Sequence, residues 1–186
     1  MPGIKGDPAE AARAVLAFWF GEVGKERWWA KAAALDAAIA ARFGALRDAV
    51  VASRARGWRD DPDTLLAAII LCDQFSRNIH RGSRKAFEAD ALARELTMLG
   101  LEQGWDKAMI LEQRQFLLMP LQHSEKLADQ ERALAEFAAL GDNEQARFAQ
   151  LHYDQIARFG RFPGRNAALG RRTSEAEQEV IEEGAF

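Results

Sequence analysis

Asp61-Pro62-Asp63-Thr64-Leu65-Leu66-Ala67-Ala68-Ile69-Ile70-Leu71 is the stretch on which the fold turns. Asp61 offers a capping oxygen and Pro62 a first helical residue that needs no amide partner. Behind them, Leu65 to Leu71 is apolar on every side of a helix. A helix without a polar face has to be enclosed by others. We therefore expect this one innermost in a helical bundle.

Amphipathic neighbours stand on both sides. Asp7, Pro8 and Glu10 make another helix start, predicting a first helix over Pro8–Phe20 whose aromatic end, Phe18-Trp19-Phe20, is largely enclosed. Leu35, Ile39, Phe43, Leu46 and Val50 fall at offsets of three and four and predict a helix over Ala30–Arg56. Ser83 is read as the cap of a helix ending at Gln103, with Gly104 as its stop, and Asp106 as the cap of another ending near Pro120. Further helices are expected over Leu121–Leu140 and Asn143–Arg158. A loop follows, enforced by Gly160, Pro163, Gly164 and Gly170, and then a short terminal helix over 174–183 behind the Ser174/Glu177 capping box. No apolar alternation bounded by turns supports a strand. The expected class is all-α, a helical bundle or short stack of antiparallel hairpins within one domain spanning 1–186.

Composition limits the function classes. The chain of 186 residues is 48% hydrophobic and 28% charged, a globular profile. Its longest apolar runs, Ala14–Phe20 and Leu65–Cys72, are far shorter than the roughly 20 residues of a membrane span. Met1–Glu10 has no basic segment leading into an apolar one, so no secretory signal is expected. The lone Cys72 fits a reducing compartment, and the expected location is cytoplasmic. A net charge of -3 argues against nucleic acid as a partner. None of His80, His123 and His152 has an acid three or four residues away, so no metal site is expected. No phosphate-binding glycine motif calls for a nucleotide cofactor.

Polar residues nevertheless intrude on the apolar faces. Asp73 and Arg77, four apart, continue the inward face of Leu66, Ile69 and Ile70, and Gln74 stands beside them. Asp154, Gln155 and Arg158 repeat the Asp-Gln-x-x-Arg string. His123 is expected on a stripe with Leu127, Gln130, Leu134 and Phe137, and His152 on one with Phe148, Gln155 and Phe159. Two stretches free of acids, Gln74–Phe87 and Gly160–Arg172, hold Arg77, Asn78, His80 and Arg81 in one and Arg161, Arg165, Asn166 and Arg171 in the other. Were they to meet with more guanidinium than carboxylate, the excess would have to reach water or an anion, because an unpaired buried charge costs several kcal/mol. A planar guanidinium fork suits phosphate or carboxylate.

At these residues the chain resembles a bacterial family, Domain of Unknown Function family 924. The strings that carry the likeness are Phe18-Trp19-Phe20-Gly21, Trp28-Trp29, Asp73–Gly82, Pro120–Glu125, Asp129-Gln130, Ile156–Asn166 and Gly170-Arg171. The resemblance implies a helical, tetratricopeptide-like fold and brings no activity with it. Ser76 stands where the family often has Pro, and Gly164 where it often has His, so the arginine loop lacks an imidazole.

The expected function is binding of a small anionic molecule. Arg77, Asn78, His80, Arg81, Arg158, Arg161, Arg165, Asn166 and Arg171 would line its pocket, and Asp73, Gln74, Gln130, Asp154 and Gln155 would support them. His123 or His152 would act as a general acid or base if the protein is an enzyme. The alternative is a helical module for a peptide or protein partner, in which the arginines are purely structural.

Overall fold

The computed structural model describes residues 7–184 and contains no strand among them. Met1–Gly6, part of the stretch read above for a secretory signal, lies outside the described residues. Contacts group the chain into two compact units: residues up to Arg81 with Lys85–Leu117, and Gly82–Arg84 with Leu118 onward.

In the first unit α1, Pro8–Leu16, starts as expected, with the Asp7 carboxylate accepting the Ala9 amide at 3.0 Å. It does not stop at Phe20. It widens into a π turn over Ala17–Val23, closed by Gly24 in the left-handed region, whose amide reaches the Trp19 carbonyl at 3.2 Å. The Trp28 indole N–H donates to the same carbonyl at 2.9 Å, tying Trp28 and its turn to the π segment. α2, Ala33–Ala52, buries Leu35, Ile39, Phe43 and Val50, the spacing read from the sequence.

α3, Pro62–Ile70, runs into a second π turn, Leu71–Phe75, and then α4, Ser76–Ile79. Every residue from Thr64 to Ser76 is buried, so this segment is the centre of its unit. α1 and α5, Asp90–Glu102, pack on α3, and α2 packs on the π turn and α4. Aromatic rings of the two π turns meet: Phe75 lies 6.0 Å from Phe18 and 5.4 Å from Trp19, both nearly edge-on. Such pairs add about 0.5–1.5 kcal/mol each beyond the area they bury.

Helix boundaries between Arg81 and Leu127 differ from the expectation. Ser83 does not cap α5, because Arg84–Phe87 forms a 3-10 turn and the helix starts only at Asp90. Asp106 is buried in another 3-10 turn, Trp105–Ala108, facing the Arg114 guanidinium at 3.5 Å instead of capping a helix. α6, Leu111–Gln122, continues through Pro120. A proline inside a helix removes one backbone bond and crowds the carbonyl of the preceding turn, yet here the helix persists past it and the break comes at 123–126.

In the second unit, α7, Leu127–Ala139, and α8, Asn143–Phe159, form an antiparallel hairpin. Asp142 caps α8 through the Glu144 and Gln145 amides. The arginine loop is partly helical, with a 3-10 turn at Pro163–Arg165 and α9 at Asn166–Leu169. α10, Glu175–Glu182, opens with the expected capping box of Ser174 and Glu177. No described helix is long and apolar enough to cross a membrane.

Phe75→Ala should cost about 3–5 kcal/mol, since it empties the junction of the two π turns. Trp29→Ala, at a site 51% exposed, should cost less than about 1.5 kcal/mol. Urea denaturation of both variants measures the contrast.

Candidate functional site

Arg77 and Arg81 of the first unit, and Arg161 and Arg171 of the second, each meet a carboxylate within their own unit. In the first, Arg77 lies 2.9 Å from the buried Asp73 carboxylate and also forks onto Asp90, with both bonds at 3.1 Å. Burial opposes the Arg77 charge, but Asp73 and Asp90 hold its pKa above the ordinary value. Gln74 donates to Asp73 at 2.6 Å. Asp36 of α2 accepts from Arg81 at 2.8 and 2.9 Å and from Asn78 at 2.7 Å. The Arg81 fork is the main reason that the Asp36 carboxyl sits below its usual range. His80 is half-buried, and desolvation, followed by the Arg47 charge, lowers its pKa.

In the second unit, Arg161 forks onto Glu177 at 2.6 and 2.9 Å. Arg171 forks onto Glu125 at 2.8 and 2.9 Å and donates to the Phe162 carbonyl at 3.0 Å. Burial pushes the Glu125 carboxyl up, but the Arg171 fork and the Phe162 amide hold it below the usual value. Arg165 donates to the His123 carbonyl at 2.7 Å and lies 4.5 Å over the Phe162 ring. Asn166 is fully buried and donates to Thr173 at 3.3 Å.

Four expectations need correction. The excess of guanidinium over carboxylate is not built at Arg77, Arg81, Arg161 or Arg171, because Asp90, Asp36, Glu177 and Glu125, acids outside the two acid-free stretches, meet them. The second Asp-Gln-x-x-Arg string is not inward. α8 turns Gln155 and Ile156 to the interior, leaving Asp154 exposed with Gln150 as its donor and Arg158 exposed over the Phe159 ring. Asp154 therefore supports no arginine. Gln130 does not support the arginines either: its amide donates to the Gln122 and Ser124 carbonyls at 2.8 and 2.6 Å, closing the end of α6. The stripe containing His123 is interrupted too, since His123 lies in the break and Leu127 is exposed.

The histidines do come together. Their ring centroids are 6.1 Å apart, both half-buried, with Phe162 edge-on to His152 at 5.4 Å. His152 Nδ1 lies 2.7 Å from the Phe148 carbonyl, which can only accept. The proton is therefore on Nδ1 in the neutral ring, and Nε2 carries the lone pair. The Gln122 amide nitrogen lies 3.1 Å from the same Nδ1 while its oxygen is buried without a partner. Amide oxygen and nitrogen are assigned from their hydrogen bonds, and this contact favours the orientation with the oxygen facing Nδ1–H. Gln122, Glu125 and Phe162 join this cluster unforeseen. Their only signal was the pair of strings Pro120–Glu125 and Ile156–Asn166. Among the described residues, no group of three or more His, Cys, Asp or Glu side chains is arranged to hold a metal ion.

The Arg161 fork, then the Ser174 amide, brings the Glu177 carboxyl down from 4.5 to about 2. A depressed carboxylate contributes stability that is complete above its unfolded pKa and lost as pH falls through the folded one. The stability advantage of the native chain over Glu177→Gln should thus persist at neutral pH and shrink between pH 4.5 and about 2. Urea midpoints across that range measure it, and a gap independent of pH would refute the assignment.

A family described as "Bacterial protein of unknown function" (DUF924) matches residues 15–185. A solved structure, that of the protein of unknown function ATU0120 from Agrobacterium tumefaciens, superimposes with a TM-score of 0.90 at 34% identity, covering 96% of this chain and 100% of that one. No curated protein matches. With the match running over nearly the whole chain, the protein belongs to the bacterial DUF924 family of unknown function.

Proposed function

We propose that the second unit binds a small phosphate- or carboxylate-bearing molecule beside His123 and His152, with acid-base chemistry at that pair. The observation that carries the reading is the 6.1 Å approach of the two rings, from residues 29 positions apart in sequence. One imidazole of the pair takes a proton; the second beside it returns one to a leaving group. Arg165, which donates to the His123 carbonyl at 2.7 Å, brings a guanidinium to the pair from the loop after α8. Arg161 and Arg171 act here through their carboxylates, bracing the loop that carries Phe162 and Arg165. This narrows the ligand contacts from the whole arginine set to His123, His152 and Arg165.

The test is a melting panel of phosphorylated and carboxylated metabolites. A true ligand at about 100 times its Kd contributes about 2.7 kcal/mol, or roughly 5–10 °C in Tm for a chain of this size. That shift should vanish in His152→Ala and Arg165→Ala and survive in Arg81→Ala. An unmoved Tm across the panel, or equal shifts in all variants, ends the proposal.

The ion pairing itself favours a second reading, a tetratricopeptide-like interaction module whose guanidinium network is structural. The forks of Arg77, Arg81, Arg161 and Arg171 are complete without a ligand. Under this reading, Arg171→Met lowers Tm while every metabolite leaves it unchanged, and a peptide array finds the partner.

A further inference from the structure

A groove in the first unit, apart from the histidine pair, has a composition of its own. Its floor is Phe18 and Val23 from the π turn with Leu35 from α2, and its rim is Glu22, Arg27 and Arg42. Its volume is about 360 Å³, near the lower end of the roughly 300–1,000 Å³ typical of small-molecule sites. π turns widen a helix and recur where ligands bind. This one directs Phe18, Glu22 and Val23 toward the same groove.

Charge decides what suits it. Arg42 lies 4.4 Å over the Phe18 ring and forks onto the Glu22 carboxylate at 2.5 and 3.0 Å. Arg27 donates to the Val23 carbonyl at 2.9 Å and to the Glu22 carbonyl, with no carboxylate partner among the described residues. The rim therefore holds one more guanidinium than carboxylate. Glu22, with a side chain 57% exposed, meets Arg42 as a ligand carboxylate would and can swing out to water.

We propose that this groove binds a small hydrophobic monocarboxylate, its apolar tail on Phe18, Val23 and Leu35 and its carboxylate between Arg27 and Arg42, where it replaces Glu22. The volume favours such a molecule over a folded partner. The proposal stands independently of the histidine site.

Calorimetric titration of the full chain with hexanoate and hexan-1-ol tests it. Hexanoate should bind saturably and the alcohol about tenfold more weakly or not at all, as the loss of a charge-assisted hydrogen bond predicts. Glu22→Gln, which removes the internal competitor, should tighten hexanoate severalfold. Arg42→Met should weaken it by about tenfold or more, as should Arg27→Met, which touches a different guanidinium and guards against a folding defect in the first variant. Ala38→Leu, at a half-buried position lining the groove, should block it. His123→Ala and His152→Ala should leave it unchanged, which separates this site from the one above. No saturable heat in either the native chain or Glu22→Gln overturns the proposal. So does equal binding of acid and alcohol, or tighter binding of a tripeptide with a free C-terminal carboxylate, which would assign the groove to peptide ends.

Discussion

A helical segment with no solvent-facing side, Thr64 to Ser76, is the constraint on which the first unit depends. Apolar residues satisfy it easily as far as Cys72, whose thiol is buried and pushed up to about 12, chiefly by desolvation. Beyond Cys72 the segment carries Asp73 and Gln74 into the same enclosed space. A buried carboxylate needs a cation or several donors to remain charged. Gln74 donates to it directly and Arg77 approaches from the next turn, with Asp90 completing the arginine's fork. The polar string therefore follows from enclosure as much as from chemistry.

Arg47 shows the same logic where no sequence argument pointed. It is 2% exposed, on a helix face otherwise apolar, and gathers Ser76, Asp48, Glu88 and the Lys85 carbonyl around its guanidinium. This links α2 to α4 and to the turn before α5. In the second unit Glu177, in the first turn of α10, and Glu125, in the break after α6, do the corresponding work, holding the loop that carries Phe162. Guanidinium–carboxylate forks thus serve as braces between elements, and the proposed binding sites lie at the histidine pair and at the groove of the first π turn.

The two sites differ in kind. At the histidines the geometry is set by helix ends: α6 stops at Gln122, Gln130 closes its carbonyls, and His123 emerges beside the ring that α8 presents. At the groove it is set by a widened helix and a tethered turn, where Trp28 and Arg27 both bond to main-chain carbonyls of the π segment. The first brings two imidazoles within 6.1 Å of each other; the second has an apolar floor with positive charge at its edge.

The sequence by itself determined the helical class, the innermost position of Leu65–Leu71, the caps at Asp7, Asp61 and Ser174, and the inward turn of Asp73, because these depend on periodicity and on hydrogen bonds spanning a few residues. It did not determine the π turns, the passage of α6 through Pro120 or the outward phase of Asp154 and Arg158, since a shift of one residue in helical phase is decided by what packs against the helix. Only the tertiary structure decided which acids meet which arginines. The partners of Arg81, Arg161 and Arg171 lie 45, 16 and 46 residues away, so a local absence of acids said nothing about charge balance in space, and what looked like an arginine excess became a set of braces.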